Sequence, residues 1–254
     1  MGSFARSCVV RSSRNIVLAC LSPGDQALLE PHVEPLSLDR GHVLVGPDDP
    51  LDAVFFPDTA LLSIDEAVAP GRWVEIALVG REGMIGWPAL LGSARSGHAA
   101  VVRMREGSVL RVALAPLRAA CHRSPSLWNA LLRFVHMVIV QMAYAISAHL
   151  QHPLEQRLAR WVLMRHDRVG GDVLLVQHNE IADCLNVRRA SITDRLHRLE
   201  GERLIRCNRG RVVVRDRPAL ERFAGCAYGG AEAQYRALIA PFGKSEPAPV
   251  ILDA

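Results

Sequence analysis

Between residues 187 and 217 the chain carries ten arginines against four acids, Asp194, Glu200, Glu202 and Asp216, a local charge of +6. Lys244 is the single lysine of the whole sequence. A guanidinium is a planar fork of donors that matches paired acceptors on phosphates and base edges. A bare basic run is as readily a solvated face. Compact arginine density in a short segment points instead to a polyanion partner. The spacing of three other residues sharpens this: Ala182, then Asn186 four positions on, then Ile192 six further. They supply a small residue where two helices cross, a residue tolerant of positive φ in the turn, and a β-branched residue to pack the second helix. That is the spacing of a helix-turn-helix. Arg188, Arg189, Ser191, Thr193, Asp194, Arg195 and Arg198 then fall on the outward face. The N-terminal end of such a helix enters the major groove, which puts Arg189 in place for a bidentate contact to guanine O6 and N7. Arg188, Ser191, Thr193, Arg195 and Arg198 are candidates for base edges and phosphates.

The elements that must hold these residues follow from the local pattern. One helix is expected over Asn179–Leu185 and a second over Arg189–Gly201, with Ile192, Leu196 and Leu199 inward. Gln177 stands where a Ser or Thr cap would be, with Glu180 three residues later. Gln177 and His178 are therefore the candidates for the first helix's phosphate contact. A ribbon over Arg206–Asp216 turns at Asn208-Arg209-Gly210-Arg211, read as a three-residue hairpin loop. Arg209 and Arg211 at its tip would lie over the phosphate backbone and position rather than specify.

Upstream, Ser124-Pro125 is a cap-plus-proline helix start, and a long helix runs on to about residue 150. Leu127, Leu131, Phe134, Val138, Gln141, Ala145 and Ala148 form one stripe along it. Trp128, Leu132, Val135, Ile139, Met142, Ile146 and His149 form another, one residue on. Two apolar stripes mean two buried faces. One is expected to cover the preceding domain and the other a second copy of the chain, with Gln141 as the polar residue that sets register. Arg133, His136, Gln141 and His149 argue against a membrane span. His152-Pro153 breaks the helix, another helix follows over Leu154–Arg168, Gly170-Gly171 ends it, and Val173–Val176 reads as a strand.

Between about Val33 and Val112 the pattern is short strands separated by Gly, Pro and Asp turns, which argues for a compact β barrel or sandwich. The chain as a whole has 254 residues, 50% hydrophobic and 22% charged. That is a globular composition large enough to need no disulfide or structural metal. Its six cysteines contain no C-x-x-C pair, as expected of a reduced, cytoplasmic protein. The short apolar run Ile16–Leu21 does not make a signal peptide. The sequence contains no P-loop, G-x-S-x-G, H-E-x-x-H or dinucleotide fingerprint, so an enzyme is not expected.

Taken together, the β segment with Gly80-Arg81-Glu82-Gly83-Met84-Ile85-Gly86, the helix 124–150 and Arg188-Arg189-Ala190-Ser191-Ile192-Thr193 leading to Leu204-Ile205 resemble the Crp/Fnr superfamily of bacterial transcription regulators. The resemblance covers roughly residues 16–225. It implies an α+β fold: an N-terminal jelly-roll-like β-roll, a long dimerisation helix and a C-terminal winged helix-turn-helix. The domains expected are a flexible N-terminus (1–15), a cyclic-nucleotide-binding-like β-roll (16–123), a dimerisation helix and hinge (124–152), the winged helix-turn-helix (153–225) and a C-terminal extension (226–254), loose from Pro241 on.

Function follows as an expectation: a homodimeric, allosterically controlled DNA-binding regulator that reads a pseudo-palindromic duplex. RNA polymerase is a partner implied by the family, and no membrane is involved. The alternative is a nucleotide-binding signalling module acting through a protein partner.

The effector region departs from the cyclic-AMP-responsive members. Trp87 follows Gly86 where those members have Glu, and Gly97-His98 stand where they have Arg-Ser. Classical cyclic-AMP binding is therefore not expected. Gly86, Trp87, Arg95 and His98 remain as weak effector candidates, for a cyclic nucleotide or dinucleotide, and no cofactor is required. Cys8 and Cys20, separated by eleven residues, do not form the close cysteine group of the family's iron–sulfur oxygen sensors. In the recognition helix, Ala190 and Asp194 replace the family's Glu and second Arg, so the half-site should differ from the classical one.

Overall fold

The computed structural model describes residues 9–104 and 106–244. Cys8 and the tail beyond Lys244 lie outside the described residues, and the expected N-terminal arm is described only from Val9. Three short helices lead in: α1 (Val9–Ser12), α2 (Ile16–Ala19) and α3 (Pro23–Leu29). Asn15 caps α2 by accepting from the Leu18 amide, and its own amide group donates to Pro57 O at 2.9 Å and Gly83 O at 2.8 Å. A fully buried polar side chain is thus satisfied while it stitches this arm to the next domain. Ser22 caps α3 with Pro23 at its first position.

Seven strands follow: β1 (Val33–Asp39), β2 (Val43–Val45), β3 (Ala53–Pro57), β4 (Leu62–Ala69), β5 (Arg72–Val79), β6 (Ala99–Val102) and β7 (Glu106–Ala113). They form two antiparallel sheets, ordered β1-β7-β3 and β2-β6-β4-β5. Phe56, Leu62, Met84, Val102, Val109 and Val112 are fully buried, as two apolar inner faces require. Gly86 sits at φ +87°, and a Cβ there would lie 2.6 Å from the Ala53 carbonyl oxygen, so only glycine fits the turn.

Helix α4 (Leu114–Arg123) leads to α5 (Pro125–Gln151), which Ser124 caps. Leu127, Leu131, Phe134 and Val138 on the first stripe are buried in the same apolar cluster as the β domain. Gln141, on that stripe, is engaged within its own chain. Its Oε1 accepts from the Leu78 amide at 2.6 Å and its Nε2 donates to the Leu78 carbonyl at 3.2 Å, so it docks the helix on strand β5. The second stripe is covered only towards its start. Ile139, Ile146 and the adjacent Leu150 are exposed.

His152-Pro153 turns the chain into α6 (Leu154–His166), β8 (Val173–Leu175), α7 (His178–Leu185), α8 (Arg189–Gly201), β9 (Ile205–Asn208), β10 (Arg211–Val214), α9 (Arg217–Ala224) and α10 (Gly230–Leu238). Leu158, Val162, Ile181, Ile192, Leu196, Leu199 and Leu220 build a second core. Three details correct the sequence reading. The ribbon is a three-stranded sheet, β8-β10-β9. Its hairpin loop has two residues, because Asn208 pairs with Arg211, leaving Arg209 and Gly210 (φ +74°) as the turn. The chain after Pro241 is not loose as far as it is described, since Phe242 is buried.

The two halves meet along a polar seam. Arg165 of α6 makes a two-pronged ion pair with Glu75 of β5 and lies 3.6 Å over the Trp161 ring. Arg168 pairs with Glu82 at 2.8 Å, both almost wholly buried. Arg40 pairs with Glu180, and Arg72 donates to Asn186.

Candidate nucleic-acid interface

Asn186 adopts φ +54°, ψ +51°, the left-handed conformation that ends α7. Its amide donates to Asp183 O and the Val187 amide to Ala182 O at 3.0 Å, which closes the turn in the fewest residues. Ala182 is buried at the helix crossing, and Ile192 is wholly buried beneath α8. The three spacing residues therefore do what their types suggested. Helix α7 starts at His178, one residue earlier than expected, with the Glu180 carboxylate accepting from the Gln177 amide at 2.7 Å.

The outward side chains divide into two sets. Arg188 and Arg189, at the N-terminal end of α8, and Arg209 and Arg211, at the wing tip, are exposed. Among the described residues none of the four makes an ion pair. Arg195 and Arg198 are different. Both reach back to Glu155 of α6, Arg198 at 3.0 Å and Arg195 at 3.5 Å, and Arg198 also pairs with Glu202 at 3.4 Å. Glu155 is the residue that sequence reasoning missed. It lies some forty positions away, and no local pattern announces it.

Thr193 and His178 are joined to each other, with His178 Nδ1 3.0 Å from the Thr193 hydroxyl, which also donates to Arg189 O. This bond ties the two motif helices together. Burial, and then nearby Arg189 and His197, hold the His178 imidazole below its ordinary range. Ser191 is half-buried and Gln177 exposed.

The four effector candidates each have a place or partner within the β-roll. Gly86 is fixed by its turn, and Trp87 opens a short 3-10 helix packed on the β core. Arg95 donates to Asp48 O, and His98 pairs with Glu66. Two larger cavities, about 550 and 440 Å³, open instead along the seam between the halves, and none of the four lines either. Asp65 and Cys184 line the first of these. Burial raises the Asp65 carboxyl while Arg103, its ion-pair partner, opposes the shift, and burial pushes the Cys184 thiol up to about 12. Among the described residues no three His, Cys, Asp or Glu side chains are grouped as metal ligands.

A profile of the Crp-like helix-turn-helix domain matches residues 156–223. Solved structures match over most of the chain. A CRP-family transcriptional regulator from Thermus thermophilus is 26% identical, covering 75% of this chain and 96% of its own, with a TM-score of 0.63. FixK2 from Bradyrhizobium japonicum is 17% identical over 75% of this chain and 96% of its own, at 0.65. The c-di-GMP-responsive global regulator CLP of Xanthomonas campestris is 16% identical over 76% and 99%, at 0.63. No curated protein sequence matches.

Proposed function

Taking as premise that the chain is a Crp/Fnr-type transcription regulator with a helix-turn-helix DNA-binding domain, we propose that it works as a homodimer on a pseudo-palindromic site. The observation that carries this reading is the unpaired, exposed set Arg188, Arg189, Arg209 and Arg211 beside paired arginines on the same domain. Arg189 reads a guanine edge, and Arg188 and Ser191 contact neighbouring base edges or phosphates. Arg209 and Arg211 hold the backbone. Thr193 and His178 act chiefly by fixing the angle between the two helices. Arg195 and Arg198 reach phosphate only when Glu155 releases them.

The dimer is formed through the exposed part of α5's second stripe, Ile139 and Ile146, with the adjacent Leu150. The two recognition helices then address half-sites about 34 Å apart. Signals received by the β-roll change that spacing through α5 and the His152-Pro153 hinge. Trp87 after Gly86, and Gly97-His98 in place of an Arg-Ser pair, argue against cyclic AMP held in the classical way. The protein acts in the cytoplasm, with RNA polymerase as its downstream partner.

The test is selection of bound fragments from random duplex DNA at one fixed salt concentration, with wild type and Arg189→Ala in parallel. A two-fold symmetric site in wild type, degraded at one symmetric position in the variant, supports regulator and dimer together. No preferred sequence, even with cyclic nucleotides or cyclic dinucleotides added, would favour a signalling module acting through a protein partner.

A further inference from the structure

The helix-turn-helix match ends at residue 223, yet the chain continues as a structured segment. This segment has its feet on the DNA-binding half. The Tyr228 hydroxyl donates to Asp167 at 2.6 Å, and the Lys244 amide donates to the same carboxylate at 3.1 Å. Its body lies on the other half. Tyr235 and Phe242 are buried in the apolar cluster of the β-roll and α5, with their rings 5.1 Å apart. Tyr235 donates to the Glu82 carbonyl at 2.7 Å. Gly230 sits so close to the Tyr144 ring of α5 that a Cβ there would come within 2.4 Å of it.

What the segment covers is one of the ion pairs that join the halves, Arg168 with Glu82. Glu82 also accepts from the Gly80 amide, Arg168 also donates to Met164 O, and the Arg168 guanidinium lies 5.0 Å over the Phe242 ring. While buried, each charge depends on the other as its partner, and the aromatic cover keeps out the water that would replace that pairing. The segment also stands on a different side of α5 from Ile139 and Ile146, so it does not compete with a second copy for the exposed stripe.

We propose that residues 225–244 are a strap that holds the DNA-binding domain closed against the β-roll, so that the recognition helices reorient only when Tyr235 and Phe242 leave their pocket. The closure is a property of the fold; its consequence for DNA rests on the function proposed above. Three full-chain proteins test it: wild type, Phe242→Ala, and Tyr235→Phe, which loses only the bond to Glu82. A fourth ends at Ala224.

Small-angle scattering and calorimetry read closure without DNA, and binding to a random-sequence duplex reads its consequence. Phe242→Ala and the truncation should expand in scattering and split one unfolding transition into two, with Tyr235→Phe intermediate. Their apparent DNA affinity should change from that of wild type. If the truncation fails to fold, Phe242→Ala decides. Wild-type scattering and a single transition in every folded variant would overturn the strap. If no protein, wild type included, binds duplex DNA, the DNA reading fails while scattering still judges the closure.

Discussion

Arginines in two regions of the DNA-binding domain live in different worlds. Along the seam with the β-roll, Arg165 and Arg168 are buried and each is matched to one carboxylate, Glu75 or Glu82. At the free end of α8 and on the wing, Arg188, Arg189, Arg209 and Arg211 are exposed with no ion pair among the described residues. The side chain is the same, and the difference lies in who supplies the countercharge. Where the fold supplies it, the guanidinium fixes geometry between domains. Where it does not, the guanidinium keeps its donors exposed to whatever anion approaches.

The largest effect is expected where the pairing is most buried. Arg168→Met leaves Glu82 as an uncompensated buried carboxylate and should destabilise the protein by about 3–5 kcal/mol in denaturant titration. The double variant Glu82→Leu, Arg168→Met should recover much of that loss, because two apolar side chains carry no stranded charge. If it recovers nothing, the pair is worth more than its charges, and the paired side of the comparison needs another explanation.

On the free side the order is reversed. Arg189→Ala should leave stability within about 0.5 kcal/mol of wild type. It should weaken DNA binding by about 1–3 kcal/mol and relax one base position. Arg209→Ala should weaken all sequences about equally and lower the salt slope by about 1. Identical profiles for the two variants across a panel of sites would erase the distinction between reading and positioning.

These two classes were unequally legible in the sequence. The bounds of α8, the αL turn at Asn186 and the buried Ala182 and Ile192 depend on residues within a dozen positions of one another, and local spacing encodes them. That short strands alternate with turns between Val33 and Val112 is legible for the same reason, whereas their order in the sheets, β1-β7-β3 and β2-β6-β4-β5, is not. The partners of Gln141, Arg168 and Arg198 lie 63, 86 and 43 residues away, and no periodicity reports them. The place of Gln141 on an apolar stripe therefore does not announce its bonds to Leu78. The segment after residue 225 suffers most. Its aromatic residues are few, and their pocket is built by elements from the other end of the chain.

Glu155 offers a way to convert one class into the other. It holds Arg195 and Arg198 back from the outward face. Glu155→Gln keeps the shape and removes the charge, so both guanidiniums become available to phosphate. Stability should fall by no more than about 1 kcal/mol, the scale of partly exposed ion pairs. Affinity for random-sequence DNA should rise and the salt slope steepen. An unchanged slope would mean that these two arginines never reach the backbone.

The smallest effect concerns protons. Burial is the leading cause that lowers the pKa of His149, His166 and His178, with arginine charges adding to it in each case. A lowered imidazole favours the neutral form in the folded state. As pH falls through the unfolded value of about 6.5, the unfolded chain takes up these protons first, and stability drops until the lowered folded values are passed. The protein should therefore melt at progressively lower temperature as the pH falls through about 6.5. DNA acts in the opposite sense on His178, because a phosphate beside it favours the protonated ring. DNA binding should take up a proton and tighten over the range in which stability falls. His178→Gln retains a hydrogen-bond partner for Thr193 but cannot titrate. It should flatten the pH dependence of DNA affinity while leaving most of that of stability, which His149 and His166 still carry. If both dependences vanish together, His178 alone controls the domain and its link to the free arginines is indirect.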